Sequence, residues 1–177
     1  MPDWHDLIDW QVGQLVTATD LNEQLRDNLE FLHSPAFARV YNTADISIPN
    51  NTVTNLTFNS QRVVTVSSMH STSSFPSRLN APYTGLYLLA GSIEFPSNAT
   101  GVRRLSIILN GTFSDRLVSV NQPSFSGTPA LSVATLFRLE AGEFVELQAH
   151  QNSGGALNVL ATGLHSPEFM MCYLGEV

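Results

Sequence analysis

Gly85-Leu-Tyr-Leu-Leu-Ala-Gly-Ser-Ile-Glu-Phe95 decides how this chain folds, because its first half is apolar on both sides. A strand alternates faces with a period of two, so Tyr87, Leu89, Ile93 and Phe95 point one way, and Leu86, Leu88 and Ala90 the other. The last strand of the sequence repeats the pattern, with Phe169, Met171 and Tyr173 on one side and Met170, Cys172 and Leu174 on the other. An antiparallel strand over a single core needs only one apolar face. Two strands with two such faces predict a sheet that covers its own core on one side and meets another protein surface on the other. That is the pattern of an obligate oligomer.

The composition narrows the class. The chain has 177 residues, enough for one domain with an appendage. Hydrophobic residues make up 43% and charged residues only 13%, about half the usual share. A net charge of −7 argues against nucleic acid, which needs a basic stripe along its phosphates. All eight basic residues are Arg, and Arg103-Arg104, the one adjacent pair, reads as an edge-strand feature. A single cysteine rules out an intrachain disulfide, and Cys172 among apolar neighbours reads as a small buried hydrophobe. No apolar run reaches the ~18–20 residues that cross a bilayer, and the first ten residues lack a basic, then apolar, secretory leader. The expectation is a protein made in the cytoplasm and not inserted in membrane.

Two regions are expected, an N-terminal arm and helix over 1–35 and a β domain over 36–177. The arm holds both tryptophans, Trp4 and Trp10, which fifteen residues cannot bury by themselves. They pack either on the chain's own body or on a partner, where Trp is enriched. Thr17, with Asp20 three residues on, starts a helix by a capping box, and Ser34-Pro35 stops it. Leu21, Leu25, Leu29 and Leu32 keep helical spacing. Positions 21, 25, 28 and 32 also follow the step of a coiled-coil seam, which would put Asn28 in a core. The alternative is an ordinary amphipathic helix lying on the β domain. From residue 36 the pattern is short strands between turn signals, with no further helix. Asn110-Gly111 between apolar strands signals a type I′ turn. The predicted fold is all-β, an antiparallel jelly-roll sandwich preceded by an arm and one short helix.

Five segments in order carry a resemblance. They are Ile48-Pro-Asn-Asn-Thr-Val-Thr-Asn-Leu-Thr-Phe58, Ala81-Pro-Tyr-Thr-Gly-Leu-Tyr87 with the strand that follows, and Arg104-Leu-Ser-Ile-Ile-Leu-Asn-Gly111. The last two are Leu139-Glu-Ala-Gly-Glu-Phe-Val-Glu-Leu147 with Gln151-Asn-Ser-Gly-Gly155, and Phe169 to Gly175. Together they resemble the tumour-necrosis-factor-like and complement-head jelly rolls. Such domains form homotrimers around an inner sheet, and the resemblance implies that the third and last strands belong to it. Trp10-Gln-Val-Gly-Gln-Leu-Val-Thr-Ala-Thr-Asp-Leu-Asn-Glu-Gln-Leu-Arg-Asp-Asn-Leu29 is similar to the leader of many tailed-bacteriophage structural proteins. Pattern and resemblance together put Leu21, Leu25, Leu32, Leu86, Tyr87, Leu88, Phe169, Met171 and Tyr173 at a trimer interface. Trp4, Trp10 and Leu15 are expected to dock on the particle.

Catalytic chemistry is not legible. The five histidines are scattered without metal-ligand spacing, no Gly-x-Ser-x-Gly elbow is present, and Glu140, Glu143 and Glu146 read as a solvated face. No cofactor, metal or enzymatic activity is expected. The resemblance implies a virion-surface structural protein, a capsid decoration (cement) protein in contact with the major capsid protein. A short tail or head fibre in contact with tail proteins is the alternative, or a module that binds host-surface glycan through Phe75, Phe113 and Phe125.

Overall fold

Period-two burial is visible strand by strand. In the computed structural model, which describes residues 5–112, 114–161 and 166–176, strand β6 (Gly85–Glu94) buries Tyr87, Leu89 and Ile93 and leaves Leu86, Leu88 and Ala90 half-exposed. Strand β12 (Glu168–Gly175) pairs with it antiparallel and buries Phe169, Met171 and Tyr173. On their other flanks lie β1 (Phe37–Tyr41), beside β12, and β9 (Ala130–Leu139), beside β6. With β4 (Ser60–Val64) at the edge, the first sheet runs β4-β1-β12-β6-β9.

The second sheet runs β3-β10-β7-β8, with β3 Thr52–Asn55, β10 Phe144–Gln151, β7 Asn98–Leu109 and β8 Arg116–Phe125. A short β5 (Arg78–Asn80), unread in the sequence, shares the β3 edge of β10. A small ribbon joins β2 (Ile46–Ile48) to β11 (Leu157–Val159). The two large sheets enclose one core, in which Phe58 and Phe169 meet at 5.9 Å between ring centres and Leu105, Ile107, Val145 and Leu147 come from the second sheet. All large-sheet pairings are antiparallel, and the architecture is a jelly-roll sandwich.

Local signals are realised in detail. Asn110 and Gly111 both take positive φ, 49° and 72°, as a type I′ turn demands. After the turn, β8 begins at Arg116. Gly85 opens β6 at φ 153°, where a Cβ would lie 2.5 Å from the Gly175 carbonyl oxygen, so only glycine lets the ends of β6 and β12 meet. Thr17 caps the helix: its amide and hydroxyl donate to the Asp20 carboxylate at 2.8 and 2.6 Å, and the Asp20 amide donates back to its Oγ1 at 3.2 Å. Those bonds hold the Asp20 carboxyl below the usual carboxylate range.

Two readings are corrected. Arg103 is not on an edge strand. It sits in β7 between β10 and β8, is fully buried, and donates to the carbonyls of Asn98, Thr100 and Val102, where the β7–β8 register slips. The guanidinium satisfies carbonyls that an irregular ladder leaves over. Glu146 is not solvated: it is buried on β10 and accepts a 2.5 Å bond from the Ser77 hydroxyl. His70 is also buried, with Nδ1 3.1 Å from the Gln61 amide and Nε2 3.3 Å from the Pro76 carbonyl oxygen, and burial pushes its pKa down.

Candidate functional site

The outward face of the first sheet is the most unusual surface of the molecule. Registers across β1, β12, β6 and β9 stack side chains in rows. Phe37, Cys172, Leu88 and Leu136 form one row, and Arg39, Met170, Ala90 and Ala134 the next. The row after that is Tyr41, Glu168, Ser92 and Ser132. Leu136 is 55% exposed and Leu174 53%. Phe37, Leu86, Leu88, Met170 and Cys172 are half-buried by their neighbours alone. A sheet face solvated by design would carry polar residues here. Small side chains in the second row leave a groove of about 460 Å³ bounded by Arg39, Ala90, Ser92, Ala134, Glu168 and Met170.

The face has a polar end. The Glu168 carboxylate takes Arg39 on Oε2, with Nε at 2.7 Å and Nη2 also in contact, and Arg62 Nε on Oε1 at 2.5 Å. Arg62 lies 4.3 Å over the Tyr41 ring. One carboxylate is thus shared by two guanidinium groups at the rim of an apolar patch, and one positive charge is left over. Burial raises the Cys172 thiol pKa above the ordinary value, which favours the thiol over the reactive thiolate.

Sequence-expected interface residues divide by parity. Leu86 and Leu88 face outward. Tyr87, Phe169, Met171 and Tyr173 do not: they are buried in the sandwich core of the subunit. Both faces of each strand are apolar, so the pattern showed two surfaces without saying which one was the inside. The outward residues missed by that reading are Phe37, Ala90, Leu136, Met170, Cys172 and Leu174, all with the opposite parity.

The N-terminal segment makes a second surface. The helix is continuous over Ala18–Leu21, Asn22–Asp27 and Asn28–His33, its middle part hydrogen-bonded i→i+5 as a π-helix. Phe31 docks it on the sandwich, edge-on to Tyr83 and Tyr173 at 5.5 and 5.8 Å. Leu21, Leu25 and Leu32 are solvent-facing, at 48, 55 and 65% exposed. Trp10 and Leu15 are exposed on the arm, and Trp4 lies outside the described residues.

Tyr87 anchors this corner. Its hydroxyl donates to the Tyr83 carbonyl oxygen at 2.6 Å and accepts from the Tyr83 amide at 3.2 Å. Burial pushes its pKa up to about 12, and burial also raises that of Tyr173. An acid whose pKa is higher folded than unfolded holds more protons when folded. Its contribution is therefore complete below the unfolded value of 10 and is lost as pH climbs toward 12. Denaturant titrations at about pH 9 and about pH 11.5 should show the fall, and Tyr87→Phe should flatten it at the cost of about 1 kcal/mol of hydrogen bonding. An unchanged slope in that variant would exclude Tyr87 as the source.

Among the described residues, no three of His, Cys, Asp and Glu gather to hold a metal ion. No helix among them is long and apolar enough to cross a membrane.

The arrangement of sheets defines the class of fold, and solved structures share it. Murine APRIL, in a crystal structure at pH 5.0, superposes with a TM-score of 0.59 at 14% identity, over 78% of this chain and 98% of that one. The Eiger TNF of S. frugiperda superposes with a TM-score of 0.57 at 13% identity, over 80% of this chain and 94% of that one. The protein therefore has a tumour-necrosis-factor-like jelly-roll fold. No protein-family model matches the sequence, and no curated protein is similar to it.

Proposed function

We propose that this chain is a non-enzymatic homotrimeric structural protein whose subunits pack through the outward face of the β4-β1-β12-β6-β9 sheet. The observation that supports it is the two-row apolar patch, Phe37-Cys172-Leu88-Leu136 beside Met170-Ala90-Ala134, which the isolated subunit leaves wet. Contiguous apolar surface of this kind marks an interface. The fold is one for which the sequence resemblance implies a threefold assembly, and closed symmetry uses such a face once per copy. Three copies of 19.3 kDa give about 58 kDa.

The assembly belongs, in this proposal, to the virion of a tailed bacteriophage, as a capsid decoration (cement) protein. The support is the similarity of residues 10–29 to phage structural leaders, together with the exposed Trp10 and Leu15 on the N-terminal arm. Three arms on one trimer bind jointly, so weak single contacts with the major capsid protein add up to lasting attachment. Deleting residues 1–16 is expected to leave the trimer intact and abolish co-sedimentation with capsids. Capsid binding that survives the deletion would reject docking by the arm.

One observation favours a receptor-binding fibre tip instead. Phe75 is 63% exposed at a positive φ of 52°, beside Arg78, whose guanidinium lies 4.1 Å from its ring and 3.9 Å from that of Phe144. A displayed aromatic held by a stacked arginine suits a sugar ring. Phe125 is 46% exposed, and Phe113 lies outside the described residues. Saturable binding on a glycan array, lost in Phe75→Ala, would favour that reading over decoration.

A further inference from the structure

The helix differs from its sequence pattern in one register step, and that step sorts its side chains by partner. A regular helix would leave both Asn28 and Leu29 close to the line of Leu21, Leu25 and Leu32. The π-helical turn over Asn22–Asp27 carries an extra residue and rotates Asn28 away from that line, leaving Leu29 on it. Leu21, Leu25, Leu29 and Leu32 are all exposed, at 48, 55, 63 and 65%, while Asn28 is 4% exposed.

Asn28 is buried by the arm. Its Oδ1 accepts from the His5 amide at 2.8 Å, and its Nδ2 donates to the His5 carbonyl oxygen at 3.0 Å. One turn earlier Gln24 does the same: Oε1 accepts from the Ile8 amide at 3.0 Å and Nε2 donates to the Asp6 carbonyl oxygen at 2.8 Å. Two side-chain amides thus grip the arm backbone as a neighbouring strand would. They leave residues 5–8 strapped along one flank of the helix. Phe31 occupies the flank that meets Tyr83 and Tyr173. The leucine stripe is the large apolar surface of the helix that neither flank covers.

We infer that this stripe is the seam of a parallel three-helix bundle formed with the same helix of two further copies of this chain, each arm strapped to its outside. The inference rests on the trimer proposed above. The helix ends at His33, and β1 starts at Phe37, which stands in the outward row with Cys172 and Leu88. A trimer closed by that face holds three helices by short tethers, at roughly millimolar mutual concentration. A segment of this length is marginal as an isolated helix, and the tethered copies are the partners always at hand. A π turn is rare and less well bonded than a regular one. Here it puts four leucines on one line and both amides on another.

The test uses the full chain and two adjacent substitutions. Leu29→Glu should raise the trimer dissociation concentration at least tenfold and lower the melting midpoint, with the circular dichroism spectrum unchanged. Asn28→Leu should not tighten the trimer and should make the arm cleavable by protease. In a Cys172→Ala background, Leu29→Cys should form an intersubunit disulfide on oxidation, and Asn28→Cys should not. The reverse pattern, with Asn28→Leu stabilising the trimer and Asn28→Cys cross-linking, would overturn the register. A trimer indifferent to Leu29→Glu, or one that keeps its mass and loses only capsid binding, would overturn the bundle and leave the sheet interface standing. A wild-type monomer would remove both.

Discussion

Replacing Leu88 by Asp is expected to turn a species of about 58 kDa into one near 19.3 kDa in light scattering at micromolar concentration. Leu88 lies in the middle of its row, between Cys172 and Leu136, and is half-exposed in the subunit. A carboxylate there is solvated in the monomer, so the fold itself loses little. In the assembled trimer three such charges would be sealed against apolar side chains without counterions. Each would cost several kcal/mol, enough to shift association more than a thousandfold, which is about 4 kcal/mol. Val53→Asp, on β3 of the other sheet, is the control: Val53 is 36% exposed, and mass and stability should stay as they are. If the Leu88 variant keeps its trimer mass, the interface is on some other face.

Neutralising Glu168 by Gln is expected to weaken the assembly without unfolding the subunit. In the isolated chain Arg39 and Arg62 remain 49% and 45% exposed, and an exposed ion pair contributes only about 0–1 kcal/mol. Burial in an interface changes the balance. Two guanidinium groups then lose their shared carboxylate while also losing water, and breaking a buried pair from one side costs about 3–5 kcal/mol. The predicted signature is a split: a denaturation midpoint of the monomer nearly as in wild type, and a trimer dissociation concentration raised a hundredfold or more. Equal loss in both measurements would mean that Glu168 supports the subunit rather than the contact.

Much of this molecule follows from local rules. The Thr17–Asp20 capping box, the stop at Ser34-Pro35, the positive φ at Asn110-Gly111 and the alternation along β6, β9 and β12 depend on short-range sterics and hydrogen bonding, and all four are readable from neighbouring residues. That β6 and β12 share one sheet follows from matching the segments to a known pattern. What was lost is equally specific. Arg103 looked like an exposed edge residue because charge usually marks the surface. Only the β10 and β8 strands on either side, and the loose carbonyls of Asn98, Thr100 and Val102, explain a buried guanidinium. Glu146 was misplaced for a similar reason, since Ser77 comes from 69 residues away.

The two-faced strands mark the division most clearly. Alternation of apolar residues on Gly85–Glu94 and Glu168–Gly175 showed by itself that each strand has two apolar faces, because a period of two is a property of the extended backbone. Which parity lies inside was decided by tertiary structure, when the second sheet packed over Tyr87, Phe169 and Met171 and left Leu88, Met170 and Cys172 outside. The helix divides in the same way. Its leucines and caps are written in the sequence, whereas the frame that turns Leu29 outward and Asn28 toward His5 depends on a π turn and an arm more than twenty residues distant. No local propensity specifies that frame, because its stabilising contacts exist only once the chain has folded.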